Sequence, residues 1–255
     1  MSEIQIHAIL TIAMFVSAVF TVIATHIFTA PYGRHGDKAP GPKLSARFGW
    51  FLMESPSLFG FAALFLAGPH WMEPAPLVLA SLWLIHYTNR TIVFPLRLPP
   101  SARPMPLIIA AMALLFNFWN AYINSRELSL FHAYDADWLT SPTTILGLLL
   151  FGVGFYTNLW ADSTLLRLRR TAPADSGGYI IPRGGLYEYI TCPNYFGEVL
   201  EWTGFAIAAG SYPAAAFAVY TAANLMPRAL AHHKWYHDRF QDYPRTRKAV
   251  VPFLL

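Results

Sequence analysis

Long apolar runs separated by short polar segments set the pattern of this chain. Runs near the roughly 20 residues needed to cross a bilayer fall at about 4–29, 50–68, 76–95, 105–123 and 142–161. The apolar stretch 195–231 is too long for one crossing and is broken by Gly210-Ser211-Tyr212-Pro213. It therefore divides into a short run at about 195–209 and another at about 212–231. Met1–Ala8 lacks a basic segment and the first run is too long for a cleaved signal peptide, so it counts as a span. The pattern predicts an all-α integral membrane protein, a single membrane domain over 1–255 with seven transmembrane helices.

Charge gives the orientation. Seven spans put the termini on opposite sides. With the N-terminus outside, the inner segments hold Arg34, Lys38, Lys43 and Arg47; Arg97 and Arg103; Arg167, Arg169, Arg170 and Arg183; and the tail residues Arg228, Lys234, Arg239, Arg245, Arg247 and Lys248. Of the 18 Lys and Arg, only Arg90, inside the third run, and Arg126 are excluded. Such an asymmetry is what the positive-inside rule describes, and it places the C-terminus in the cytosol. Composition agrees: 55% of the 255 residues are hydrophobic and 13% charged, about half the charge of a soluble domain, with a mean hydropathy of +0.37. Disorder is excluded. A net charge of +4, scattered between apolar runs, does not make a nucleic-acid surface. Cys192 alone offers neither a disulfide nor a cysteine metal site. The loops leave no room for a soluble domain, so function is expected within the bundle or on its cytosolic face.

Ionisable side chains inside spans are costly and need a partner or a role. Glu54 lies about one turn inside the second run, and the third carries His86-Tyr87-Thr88-Asn89-Arg90-Thr91. Asn158 and Asp162 share one helix face at the end of the fifth run, as do Glu198 and Glu201 in the sixth. All fall in the cytosolic half, which describes a polar chamber walled by apolar residues. Two structural readings stand beside that one: Glu54 and Arg90 as an ion pair between helices, and Glu201 as the cap of a neighbouring helix. In the tail, His233 and His237 have a spacing that would suit a metal on a helix, but no carboxylate-His pattern accompanies them and Lys234 intervenes, so no metal is expected. Neither a G-x-G-x-x-G nor a P-loop motif occurs.

These residues resemble the membrane steroid 5α-reductases. The likeness runs through Tyr32-Gly33-Arg34-His35, Trp50-Phe51-Leu52-Met53-Glu54-Ser55-Pro56-Ser57 and His86-Tyr87 with Arg90-Thr91. It is densest in Asn158 to Arg169, Tyr179 to Leu186, Asn194-Tyr195-Phe196-Gly197-Glu198 with Glu201-Trp202, and Asp242-Tyr243-Pro244 with Arg247-Lys248-Ala249. The C-terminal part, about 105–255, resembles the NADPH-binding core of the wider reductase superfamily, and the Glu54 and Tyr87 motifs narrow the match to the steroid branch.

The resemblance implies reduction of the Δ4 bond of a 3-oxo-Δ4 steroid with NADPH as cofactor, in a bacterial inner membrane or the endoplasmic reticulum, at a site open to the cytosol. It puts catalysis on Glu54 and Tyr87. Cofactor binding falls on Arg103, Asn158, Asp162, Arg169, Tyr179, Asn194, Glu198, Arg228, His232 and Tyr236. Substrate contact falls on Trp50, Met53, Glu54, Tyr87 and Phe118. Met53 stands where relatives acting on testosterone-like steroids usually carry Gln, which bears on substrate preference. Besides steroid and membrane lipid, no nucleic-acid or metal partner is expected. Steroid is expected to arrive laterally from lipid, past Trp83 and Phe118. Rival expectations are a polyprenol or enoyl-CoA reductase of the same superfamily, and an S-adenosylmethionine-dependent membrane methyltransferase, whose Pro-x-Tyr-x-Gly turn Pro193–Gly197 loosely resembles. A lipid-binding or transport protein is a further one.

Overall fold

A computed structural model describes residues 1–27, 41–172 and 179–255. The motif Tyr32–His35 and Lys38 lie outside the described residues. The chain is mostly helical. Helix α1 covers Glu3–Ile27. Helix α2 (Ala46–Ser55) continues through a π turn, Pro56–Gly60, into α3 (Phe61–Leu66). Helix α4 (Pro74–Thr88) likewise passes through a π turn, Asn89–Val93, into α5 (Phe94–Arg97). Then follow α6 (Leu107–Arg126), α7 (Pro142–Thr171), α8 (Pro193–Ala209) and α9 (Tyr212–Arg239).

By length and composition, the rods Glu3–Thr25, Ala46–Leu66, Pro74–Arg97, Leu107–Phe131 and Pro142–Thr171 can each cross a membrane, as in a multi-pass membrane protein. Helix α8, with 17 residues, is shorter than these. Helix α9 is long enough but turns polar after Asn224, with Arg228, His232, His233 and Lys234 in its second half.

Local chemistry explains the boundaries. Ser141 caps α7 by accepting the Thr144 N–H at 3.2 Å, and Pro142 follows at the first helical position. Pro193 opens α8 in the same way, and Gly210, at φ 58°, ends it in the left-handed conformation that glycine adopts most easily. Pro56 has no N–H to give to the preceding turn, and Pro95 withholds one from the carbonyl of Thr91. A widened π turn adjoins each proline, and such turns recur at functional sites. Between α2 and α6, a two-residue antiparallel pairing of β1 (Lys43–Leu44) with β2 (Met105–Pro106) ties the two helix starts together.

Helices α7 and α8 run antiparallel with their backbones almost touching. A Cβ on Gly147 would lie 2.6 Å from the Gly204 carbonyl oxygen, and one on Gly154 would lie 2.3 Å from the Glu201 nitrogen. Gly197 and Gly204 meet α7 equally closely from the other side. Small residues at such spacing let helices approach in lipid, where the gain comes from packing rather than from water release. The core behind them is aromatic: Trp83, fully buried, packs on Phe61 at 4.7 Å, Trp202 at 5.2 Å and Phe217 at 5.5 Å between ring centroids. Outside, large apolar side chains stay exposed in helical stripes, including Ile108, Met112, Leu115 and Phe118 on α6 and Ile145, Leu149, Val153 and Tyr156 on α7. Stripes of this extent fit a lipid solvent.

Gly154→Ala is expected to destabilise the fold by about 1–3 kcal/mol through overpacking, because the clashing atoms are backbone and cannot turn aside. Gly152→Ala, which meets nothing within 4 Å, is expected to stay within about 0.5 kcal/mol of the parent. Thermal unfolding in detergent separates the two; equal midpoints would contradict the close-packed seam.

Candidate active site

Arg90 reaches across three helices. From the π turn after α4 it places Nη1 at 3.3 Å from Asp162 Oδ2 on α7 and Nη2 at 3.4 Å from Glu198 Oε2 on α8. Its guanidinium lies over the rings of Trp50, 4.8 Å from the centroid, and Phe94, at 5.4 Å. The carboxylates are oriented in turn: Asn194 Nδ2 donates to Asp162 Oδ1 at 3.0 Å, and Asn158 Nδ2 donates to the Asn194 carbonyl at 3.0 Å and to Glu198 Oε2 at 3.4 Å. The reading of Glu54 and Arg90 as an ion pair is therefore corrected, since the carboxylates of α7 and α8 take the guanidinium. Glu201, rather than capping a helix, places Oε1 at 2.7 Å from His86 Nδ1, a fully buried pair joining α4 to α8.

Beside Arg90 opens a cavity walled by residues of α2, α5, α7 and α9 and of the segment before α8. Eight of the residues expected to bind cofactor line it: Arg103, Asp162, Arg169, Tyr179, Asn194, Arg228, His232 and Tyr236. Asn158 and Glu198 stand directly behind, hydrogen-bonded to or paired with lining residues. Within the wall, Tyr195 hydroxyl lies 3.2 Å from His232 Nε2 and accepts from Arg228 Nη2 at 3.3 Å. Arg103 sits over the Tyr179 ring. The cavity wall carries both the guanidiniums of Arg103, Arg169 and Arg228 and the carboxylate and amide groups of Asp162 and Asn194. The first suits phosphate geometry and the second can accept from sugar hydroxyls or a carboxamide. Asn158 Oδ1 is buried with no partner among the described residues, an acceptor still to be satisfied.

Glu54 and Tyr87 do not line this cavity. Glu54, at the end of α2, is buried and accepts from Asn117 Nδ2 at 3.1 Å through Oε2. Tyr87, two residues before the π turn of the next rod, packs on Trp83 and Trp202, with Ser57 among its polar neighbours. Ser57 Oγ donates in turn to Asn117 Oδ1 at 3.0 Å. One amide thus bonds both the acid and Ser57, the hydroxyl next to the phenol. Asn117 escaped the sequence reading, and Ser57 entered it only as the end of a motif, without a role. The signal for Asn117 was present: Asn117, Asn120 and Asn124 recur at helical spacing in an otherwise apolar α6, and all three are buried.

The substrate-contact expectations divide. Trp50 lines the cavity, whereas the Met53 side chain is buried against Met105 and Ala110. The structure corrects Phe118: 55% exposed, it belongs to the outer apolar stripe of α6, because one residue from the inward-facing Asn117 a helix has turned by about 100°. Trp83 is not an access wall either; it lies at the centre of the aromatic core with its Nε1 donating to the Ser57 carbonyl at 2.8 Å. Near the cavity floor the C-terminal tail pairs with the segment before α8, Thr191 and Cys192 donating N–H to the carbonyls of Lys248 and Ala249. Thr191 Oγ1, which lines the cavity, also bonds His233 Nδ1 and the Tyr243 hydroxyl.

The sequence profile of the family described as 3-oxo-5-alpha-steroid 4-dehydrogenase matches residues 103–255. The chain is 46% identical to steroid 5-alpha-reductase DET2 of Solanum lycopersicum over 239 residues, covering 92% of this chain and 91% of that protein. It is 43% identical to DET2 of Arabidopsis thaliana, again covering 92% and 91%. With 3-oxo-5-alpha-steroid 4-dehydrogenase 1 of Rattus norvegicus it shares 40% identity over 93% of this chain and 91% of that protein.

Arg90→Met leaves two neighbouring carboxylates without their cation in a low-dielectric interior, an expected cost of about 3–5 kcal/mol. Adding Asp162→Asn and Glu198→Gln should return most of that loss in thermal unfolding of the ligand-free protein. A triple variant no more stable than Arg90→Met would contradict the pairing. Burial, with His237, Lys248 and Arg247 nearby, holds His233 below the ordinary histidine value of 6.5. A proton then prefers the unfolded tail, so the pairing is intact above that value and weakens as pH falls through it. Hydrogen exchange at the Thr191 and Cys192 amides, corrected for intrinsic rates, should quicken from pH 7 to 5, and less so in His233→Gln.

Proposed function

The chain belongs to the 3-oxo-5-alpha-steroid 4-dehydrogenase family, and we propose that it reduces the Δ4 double bond of a 3-oxo-Δ4 steroid to the 5α-dihydro product within the membrane, with NADPH as reductant. The observation that carries this reading is a cavity rich in arginine and tyrosine, lined by Arg90, whose neighbour Thr91 donates to the carbonyl of the buried Glu54. Arg103, Arg169 and Arg228, with Tyr179, Tyr236 and His232, would hold the phosphates and the adenosine side. Asp162, Asn194, Asn158 and Glu198 would hold the ribose and carboxamide near Arg90. When bound there, the nicotinamide supplies a hydride to the β carbon of the enone.

The remaining work falls to this chain. Hydride addition drives negative charge onto the C3 oxygen, and preorganised donors in a water-poor site stabilise it best. Tyr87 donates its hydroxyl proton to that oxygen, with Glu54 orienting or co-donating. Trp83, Trp202 and Phe217 keep water from the pair. Trp50 and the Met53 backbone border the steroid's polar end, and Met53 in place of Gln alters which steroid is preferred.

In the membrane, α8 and α9 complete a seven-span bundle as its sixth and seventh crossings. The N-terminus is outside, and the cavity opens to the cytosol, where NADPH is found. The host membrane is a bacterial inner membrane or the endoplasmic reticulum. The whole chain acts as one domain, with about 105–255 as its nucleotide-binding core. Family membership gives no support to a polyprenol, enoyl-thioester or S-adenosylmethionine reaction.

Purified protein should oxidise NADPH only when a 3-oxo-Δ4 steroid is supplied, and the product should be the 5α epimer by mass spectrometry against standards. Glu54→Gln and Tyr87→Phe should each lower kcat by about 10²–10⁴-fold, the range of a lost proton donor, with nucleotide affinity little changed. Turnover near the parent's in either variant would overturn the assigned roles.

A further inference from the structure

We propose that Asn117 is a positioning residue of the reaction, a single amide that sets the proton arrangement of both Glu54 and Tyr87. The inference rests on the reading that those two residues act on the substrate.

Asn117 sits on α6, buried, and its hydrogen bonds among the described residues point at this pair and its supports. Nδ2 donates to the Met53 carbonyl at 2.6 Å and to Glu54 Oε2 at 3.1 Å, while Oδ1 accepts from Ser57 Oγ at 3.0 Å. The amide cannot be turned over. A flip would set Oδ1 against the Met53 carbonyl oxygen, two acceptors at 2.6 Å with no proton between them. The backbone of α2 therefore fixes which end of the amide meets the acid.

Two consequences follow for the protons. Because Oε2 of Glu54 accepts from Asn117, a proton carried by that carboxyl sits on Oε1, the oxygen left for the reacting ketone. Because Ser57 spends its single proton on Asn117 Oδ1, it offers the Tyr87 hydroxyl only lone pairs. Tyr87 then points its proton towards Ser57 at rest and must redirect it when a stronger acceptor arrives. Ser57, anchored through its carbonyl by Trp83 Nε1, can answer by turning its own proton from Asn117 to the phenolic oxygen as negative charge builds there. Ser57 keeps its proton throughout and only re-aims it, so the balance is one proton from Tyr87 to the ketone oxygen.

A purely structural amide would tie α2 to α6 and do nothing else. The test is a double-mutant comparison in which each variant's melting temperature and NADPH affinity are also measured. Asn117→Leu, of similar volume, should lower kcat by about 10–100-fold, the scale of a misplaced reacting group, with KM for steroid and NADPH affinity within about threefold. In a Glu54→Gln background the same change should cost clearly less than in the parent, since only the Tyr87 half of the arrangement is left to disturb. Ser57→Ala, which leaves both Asn117 donors in place, should lower kcat in the parent and have little effect on top of Tyr87→Phe. It supplies the answer should Asn117→Leu not fold. Equal losses in parent and mutant backgrounds, or losses that track melting temperature, overturn the proposal and leave the catalytic pair standing. Undiminished turnover in Glu54→Gln and Tyr87→Phe themselves overturns both.

Discussion

One guanidinium inside a bundle of apolar helices orders the surroundings of the site. Arg90 brings a positive charge into a medium where an isolated ion is costly. Two carboxylates, Asp162 on α7 and Glu198 on α8, and two aromatic faces are drawn to it. The carboxylates need orienting donors of their own, and Asn194 and Asn158 provide them. Four helical segments are thereby held in register around the inner end of a cavity. The same low dielectric that penalises an unpaired group strengthens each satisfied bond, so the network is rigid where a ligand would need it to be.

Close backbone approach makes that network possible. Asp162 and Glu198 can share one arginine because α7 and α8 pack through glycines, with Gly154 and Gly197 about one turn or less from Asn158 and Glu198. Two proline-associated π turns, one of them bearing Arg90 itself, widen the rods that carry Glu54 and Tyr87. Within these turns Ser57 and Thr91 face the opposite rod: Thr91 Oγ1 donates to the Glu54 carbonyl, and Ser57 is a polar neighbour of Tyr87. Packing chemistry and reaction chemistry are thus written in neighbouring residues of the same helices.

Much of this was legible from the chain alone. Apolar runs located the helices, since in lipid nearly every outward position must be apolar, but they missed the polar C-terminal extensions of α7 to Thr171 and of α9 to Arg239. The polar residues found inside those runs were the ones that cluster in three dimensions, because a buried polar group without a partner is selected against on energetic grounds. Pairing was less legible. Arg90 could have met Glu54, His86 or Asp162 by spacing, and only tertiary geometry decides. Asn117 was hidden by its context, an amide amid leucines and aromatics, although its helical spacing to Asn120 and Asn124 marked an inward face. Phe118 erred for the same reason: without a defined inward face on α6, an aromatic residue one step from it could not be assigned to the inside or the lipid. The π turns leave no periodic signature beyond their prolines.

The central claim is that the arginine-lined cavity delivers hydride to an enone whose oxygen is held by the acid–phenol pair. Isotope transfer tests it most directly. Protein supplied with NADPH deuterated at the nicotinamide C4, on the face that is transferred, and with an unlabelled 3-oxo-Δ4 steroid in ordinary water should yield product with deuterium at C5 and solvent hydrogen at C4. Product free of the label at C5, or carrying it at C4, would contradict the account.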